Sequence, residues 1–187
     1  MFKRSCLAWP DAGSDRLRKT PLWKNQARTP LQPDARKIGR GPSLTVFLDA
    51  GPLGILTNPK HPPLTAAALQ WARRMIVAGH RFVVPAIADY EVRRELERAG
   101  KQNSLVALDA WNAAYPDRYL PLSDTALRLG AKLWAQASQT GKTTADPEEL
   151  DGDVLIAAQA ITTGLAPADF VIATLNVALA SFATGPT

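Results

Sequence analysis

Short, mainly apolar runs that alternate with long helical stretches most strongly constrain what this chain can fold into. Residues 44–48, 81–84 and 170–173 form such runs, rich in β-branched or aromatic side chains. Strands buried on both faces of a parallel sheet have this near-continuous apolar character, whereas half-exposed strands alternate. Because helical stretches separate the runs, the sequence predicts an α/β domain whose parallel sheet is covered on each face.

Glycines and prolines bound the predicted helices. Gly79, Gly100 and Gly164 each follow a helical stretch and are typical helix ends, and Pro85 suits the first turn of the helix after the second strand. A weaker strand, interrupted by proline, is predicted at residues 119–122 and belongs at an edge or a strand end. Helices are predicted at residues 66–78, 86–99, 104–114, 125–138, 151–163 and 176–182.

The first 43 residues differ from the rest of the chain in charge and periodicity. They hold ten Lys and Arg and three Asp and Glu, a net charge of +7, whereas residues 44–187 hold twelve and fourteen, a net charge of −2. Prolines interrupt this segment and no helical or strand period runs through it, so we predict a disordered extension (1–43) before a folded domain (44–187). The extension is either a basic arm that contacts RNA or another partner, or an unstructured tail, or the product of a wrongly chosen start codon. The basic charge of the whole chain therefore does not identify its folded part as a nucleic-acid-binding domain.

Cysteine content and hydropathy narrow the classes of protein further. The chain has one cysteine, Cys6, which excludes an internal disulfide framework and a cysteine-based zinc site. No apolar stretch is long enough to cross a bilayer, and the start lacks the apolar core of a secretory signal. We therefore expect a cytoplasmic protein without a membrane partner.

Asp49 follows the first predicted strand directly, and Gly51 comes two residues later. In open α/β sheets, functional groups gather beyond the carboxyl ends of the strands. Asp49 is thus a candidate for a site at that edge of the sheet, although an Asp in this place is equally typical of a helix cap.

Further acids occur at the starts of two predicted helices. Glu91 lies beside the apolar stripe of the helix after the second strand, a stripe predicted to include Ala99, so we expect Glu91 to be half buried. Its alternative is one more surface acid in a charged helix. Asp151 and Asp153 open an apolar helix; N-capping explains Asp151, and Asp153 in the first turn is better placed to point into a shared site.

Four sequence blocks resemble those of PIN domains, the fold of VapC-type toxins. The blocks are Leu48-Asp-Ala-Gly-Pro-Leu-Gly54, Val83-Val-Pro-Ala-Ile-Ala-Asp-Tyr-Glu-Val-Arg-Arg-Glu-Leu96, Leu150-Asp-Gly-Asp-Val-Leu-Ile-Ala-Ala-Gln-Ala160 and Thr174-Leu-Asn176. They occur in the family's order and cover nearly all of residues 44–182. The resemblance implies a PIN-like three-layer fold, with a central, mainly parallel sheet of four or five short strands flanked by helices.

The resemblance also implies hydrolysis of RNA phosphodiesters with Mg²⁺ or Mn²⁺. The implied metal ligands, direct or through water, are Asp49, Glu91 and Asp153, with Asp151 as a further candidate, and Asn176 would orient a water or support a ligand. Mg²⁺ prefers oxygen ligands and keeps several waters, which agrees with a site made of carboxylates.

Asn176 departs from the family pattern, because many PIN proteins place a fourth acid at or just beyond this position. A weaker second metal site or a single-metal enzyme follows, and a PIN-like module that binds RNA or protein without cleaving is the alternative. A metal phosphohydrolase with Asp49 as nucleophile would need a second acid where the chain has Gly51. As a toxin, the protein would have a small antitoxin partner whose helix binds an apolar groove along residues 62–115; a homodimer is a further expectation.

Overall fold

The structure is a computed structural model and describes residues 43–60, 62–139 and 147–175. The predicted extension, except for its last residue, and the predicted helix at 176–182 lie outside the described residues. The strands are β1 (Thr45–Leu48), β2 (Arg81–Pro85), β3 (Tyr119–Leu120) and β4 (Phe170–Ala173). The helices are α1 (Ala50–Leu56), α2 (Pro63–Val77), α3 (Ala86–Arg98), α4 (Gln102–Asn112), α5 (Asp124–Gln139) and α6 (Pro147–Ile161).

The described strands form one parallel sheet in the order β3-β2-β1-β4. β1 pairs with β2 on one side and with β4 on the other, where Leu48 is level with Ala173. Strand β1 is almost completely buried, and the ring of Phe47 packs edge to face against that of Phe170, with their centroids 5.6 Å apart. The predicted α/β architecture with a parallel sheet of short, buried strands is confirmed.

The strand order places a crevice at one point of the sheet. The chain builds outward from β1 to β2 and β3, then returns to place β4 on the other side of β1. Where the strand order reverses in this way, the loops leaving the carboxyl ends diverge and leave a crevice between them. Here the reversal lies between β1 and β4, so Asp49 and Thr174, the residues after these two strands, lie at its mouth.

Three predictions of local structure were wrong. The segment after β1, where no helix was predicted, is helix α1: its Gly and Pro content is poor for a helix, but buried Leu53 and Leu56 anchor it by tertiary packing. Helix α6 begins at Pro147, not at residue 151, so Asp151 is not its N-cap. Ala99, predicted to face the core, is the exposed C-cap of α3.

Gln159 fixes the position of α6 against the sheet. Its side chain is buried, and its Nε2 donates hydrogen bonds to the carbonyl oxygens of Leu120 (2.9 Å) and Pro121 (3.2 Å). Its Oε1 accepts a hydrogen bond at 3.4 Å from the backbone N–H of Ile87, in the first turn of α3. One amide therefore joins α6, the helix that carries Asp153, to the end of β3 and to the start of α3, the helix that carries Glu91.

No helix among the described residues is long and apolar enough to span a membrane.

Candidate active site

Asp49 is held at the crevice by hydrogen bonds to both of its carboxylate oxygens. Its Oδ1 accepts from the backbone N–H of Ala50 at 2.6 Å, which makes it the N-cap of α1. Its Oδ2 accepts from the Thr174 hydroxyl, also at 2.6 Å, across the gap between β1 and β4. The residue is 9% exposed, and the interpretation of Asp49 as a helix cap is confirmed.

Burial raises the pKa of Asp49 above its ordinary value. The hydrogen bonds from Thr174 and from the Ala50 backbone act in the opposite direction, but the loss of solvation is the larger effect. A buried carboxylate whose pKa remains raised has too little positive charge around it. A cation at this place would supply that charge.

Glu91 approaches Asp49 from helix α3. It is half buried, as predicted, and its pKa is raised first by burial and second by the negative charge of Asp49, with Arg94 acting in the opposite direction. The two acids are 42 positions apart in the chain, yet they are close enough in space to repel each other. Repulsion between neighbouring carboxylates is the usual sign of a site that binds a cation or shares a proton.

Gly152 brings the start of α6 against Glu91. A Cβ atom added at Gly152 would overlap Glu91 Oε1, so a larger residue cannot occupy this position with Glu91 where it is. The next residue, Asp153, is 6% exposed, whereas Asp151 on the preceding position is exposed to solvent. The structure therefore gathers Asp49, Glu91 and the Gly152–Asp153 turn of α6 in one region and leaves Asp151 on the surface.

The donor chemistry of this region fits a hard divalent cation. Within the described ranges, no three His, Cys, Asp or Glu side chains stand in the arrangement of a complete ligand cluster. Mg²⁺ needs none, because it takes only one or two carboxylates directly and keeps several waters. Asp49 and Glu91 supply such a pair, and the lack of a side chain at Gly152 is what allows the Glu91 carboxylate to lie where it does.

Asp89 shows what a structural acid looks like in the same helix. It is as buried as Asp153, but Arg93 donates to both of its oxygens, at 2.9 and 3.0 Å, and Asn112 Nδ2 donates to Oδ1 at 2.6 Å. Asp109 binds the same guanidinium at 2.7 Å. This buried acid is matched by a cation and an amide and joins α3 to α4, so it is not part of the candidate site.

Two contributors to the site were missed at the sequence level. Thr174 belongs to the block Thr174-Leu-Asn176 that resembles PIN domains, and this block was the signal that could have identified it. Within this block, a role was predicted for Asn176 only. Gly152 stood between the two candidate acids, and nothing in the sequence indicated that Glu91 lies against it. Asn176, predicted to orient a water, lies outside the described residues.

The comparisons with known proteins support the fold. A crystal structure of VapBC2 from Rickettsia felis, bound to a DNA fragment from their promoter, superposes with a TM-score of 0.52 at 17% identity, covering 72% of this chain and 89% of that chain. The crystal structure of FitAcB from Neisseria gonorrhoeae gives a TM-score of 0.53 at 19% identity, covering 74% and 93%. No protein-family profile and no curated protein matches the sequence. The PIN-like, VapC-like fold predicted from the four sequence blocks is confirmed by these neighbours.

Proposed function

We propose that this protein is a Mg²⁺- or Mn²⁺-dependent endoribonuclease that hydrolyses RNA phosphodiester bonds. One observation carries the proposal: Asp49 and Glu91 repel each other at the point where the strand order reverses, with both pKa values raised. Asp89 on the same helix shows the contrast, since Arg93 donates hydrogen bonds to both of its carboxylate oxygens. The PIN-like fold agrees with this chemistry without establishing it.

Each residue has a defined part in this proposal. Asp49 and Glu91 would hold the metal ion, and Asp153 would bind it directly or through water. Bound there, the ion would activate a water and neutralise charge on the scissile phosphate. The hydrogen bonds from Thr174 and Ala50 fix the direction of the Asp49 carboxylate before any ion arrives. Since both acids must be ionised to bind, metal uptake is coupled to loss of their protons.

We further propose that the protein is the toxin of a type II pair and is held by a small antitoxin. The neighbour VapBC2 is named as a two-component assembly, and the same arrangement is transferred here only as a proposal. In the region of residues 62–115 expected to form the groove, Val77 on α2 and Val106 on α4 are the most exposed of the large apolar side chains. Exposed apolar residues such as these suit the apolar face of a partner helix. Co-purification with the product of an adjacent small gene would test this part.

A cleavage assay on the full chain tests the enzymatic proposal. Structured RNA is incubated with wild type, Asp49→Asn, Asp153→Asn and Asp151→Asn in Mg²⁺, in Mn²⁺ and in chelator. We expect cleavage by wild type that chelator abolishes, a loss in the first two variants, and near-wild-type cleavage by Asp151→Asn, since Asp151 is exposed. Cleavage that survives chelator, or that Asp49→Asn leaves intact, would refute the proposed site.

A second function, a PIN-like module that binds RNA or protein without cleaving, is favoured by one observation. Residue 176, at or just beyond which many PIN proteins have an acid, is a neutral Asn here. RNA bound tightly by wild type and left uncut in every metal would favour this module over the enzyme.

A further inference from the structure

The exposed side of α3 carries an aromatic ring and a cation directly beside the candidate site. Residues three and four apart are neighbours on a helix surface, so Arg94 is a neighbour both of Glu91 and of Tyr90. The Arg94 guanidinium carbon lies 5.7 Å from the centroid of the Tyr90 ring, within range of a cation–π interaction. Both side chains are largely exposed, Tyr90 to 57% and Arg94 to 49%. We call Tyr90 and Arg94 the α3 patch.

Arg94 differs from the other two arginines of its helix. Arg93 is committed to Asp89 and Asp109, at 2.9 and 2.7 Å. Arg98 is committed to Glu95, with contacts of 2.6 and 3.0 Å. Among the described residues, the ion pair of Arg94 is a 3.9 Å contact with the same Glu95, which Arg98 already occupies. The positive charge of Arg94 is therefore available for a ligand.

An acidic active site needs such a cation if its substrate is a polyanion. The domain from residue 44 carries a net charge of −2, and the carboxylates of the site repel a phosphate backbone. Arg94 is close enough to Glu91 for its positive charge to lower the pKa of that acid. A substrate bound at Glu91 would therefore have a cation one helical turn away.

We propose that the α3 patch is a subsite for single-stranded RNA, in which a base stacks on Tyr90 while an adjacent phosphate binds Arg94. This inference rests on the proposed nuclease function and names the form of its substrate. Base stacking on an exposed ring requires a base that is free of its own helix, and A-form duplex RNA hides its bases. An exposed aromatic paired with an arginine is the chemistry by which single strands are bound with little sequence preference.

Equilibrium binding to the full chain tests the subsite. Fluorescein-labelled single-stranded and duplex RNA are titrated in the Asp49→Asn background, so that the RNA stays uncut, and anisotropy is measured over a range of salt concentrations. The variants added are Tyr90→Ala, Tyr90→Phe and Arg94→Ala. Matched controls are Tyr119→Ala and Arg128→Ala, which remove an exposed tyrosine on β3 and an exposed arginine on α5. The basic extension is present in every variant, so its contribution cancels in the comparison.

The expected results separate stacking from charge. Tyr90→Ala should weaken single-strand binding about tenfold and leave duplex binding unchanged, while Tyr90→Phe stays within about twofold because it keeps the ring. Arg94→Ala should weaken binding and lower the slope of log K against log salt by about 0.7, the value for one phosphate contact on a single strand. The control variants should match the background protein in affinity and slope.

Two outcomes would overturn the subsite. One is unchanged single-strand affinity and salt slope in both Tyr90→Ala and Arg94→Ala. The other is an equal loss for duplex RNA or in Tyr90→Phe, which would indicate a structural or protein-binding role for the patch. Failure of the nuclease proposal is distinguishable, because wild type would then leave RNA uncut whatever the patch variants do in binding. Cleavage by wild type together with wild-type binding by the patch variants would retain the enzyme and remove the subsite.

Discussion

Replacing Gly152 by alanine should separate the activity of this protein from its stability. A Cβ at this position would overlap Glu91 Oε1, so the Glu91 carboxylate must move. The obstacle is the far end of a flexible side chain, so the cost to the fold is small: about 0.5–1.5 kcal/mol for a side chain moved off its preferred rotamer. Alanine in a helix interior recovers about 1 kcal/mol over glycine. We therefore expect the free energy of unfolding to change by less than about 1 kcal/mol.

The effect on cleavage should be much larger. A catalytic group misplaced by about an ångström costs on the order of 100-fold in rate, and Glu91 is the acid that faces Asp49 in the proposed site. Gly152→Ala should therefore lose about 100-fold in kcat/KM at saturating Mg²⁺, in a protein that unfolds in urea at nearly the wild-type midpoint. Stopped-time cleavage assays and urea titrations on the same preparations measure the two quantities.

Gly130→Ala is the matched control for this experiment. It also lies in a helix, α5, and its added Cβ would stand 2.8 Å from Leu155 Cδ2, again the end of a flexible side chain. No candidate site residue is involved, so the free energy of unfolding should fall by about 1–3 kcal/mol through overpacking, while kcat/KM stays at the wild-type value. Wild-type activity in Gly152→Ala, or an equal loss in Gly130→Ala, would refute the role given to Glu91.

Three further predictions concern the hydrogen bonds and charges around the site. Gln159→Leu should lower the free energy of unfolding, measured by urea denaturation, by about 1–3 kcal/mol for each backbone partner left without a hydrogen bond. A total loss below about 1 kcal/mol would show that Gln159 does not hold α6 in place. Thr174→Val removes the hydroxyl that donates to Asp49, so it should raise the pKa of Asp49 further and weaken Mg²⁺ binding. Thr174→Ser keeps a hydroxyl and should keep the wild-type affinity for Mg²⁺, which titration calorimetry can measure. Equal affinities in the two variants would contradict this. The raised pKa values of Asp49 and Glu91 mean that the folded, metal-free protein binds these protons more tightly than the unfolded chain, so the Tm of wild type relative to that of Asp49→Asn should fall as pH rises above about 4. Saturating Mg²⁺ should reverse that trend, because it binds the ionised forms; a Tm difference that rises with pH in chelator would contradict it.

The parts of the fold that the sequence predicted are those with a local signal. β4 was predicted at its observed bounds because an unbroken apolar run stands between turn residues. The ends of α2 and α3 followed from Gly79 and Gly100, whose positive φ angles suit a helix stop. Helix α1 was missed because its residues have poor helix propensity, and burial of Leu53 and Leu56 decides its conformation.

The candidate site was predictable in its acids and not in its contacts. Asp49 and Glu91 could be placed because parallel strands bring their carboxyl ends to one edge of the sheet. The preference for Asp153 over Asp151 agrees with their burial, although the reason given was wrong, since α6 starts earlier at Pro147. The contact of Gly152 with Glu91 depends on how α6 packs against α3, and the 61 positions between these residues carry no pattern that reports it.

The late position of Gln159 in the chain determines when, during synthesis, the candidate site can assemble. Asp49 and Glu91 are translated early, but the amide that holds the first turn of α3 and the hydroxyl that orients Asp49 come from Gln159 and Thr174, near the end of the described domain. Polypeptides emerge from the ribosome amino terminus first. A half-made chain therefore has its acids without the partners that position them, and we expect the proposed site to be incomplete until Thr174 has been released.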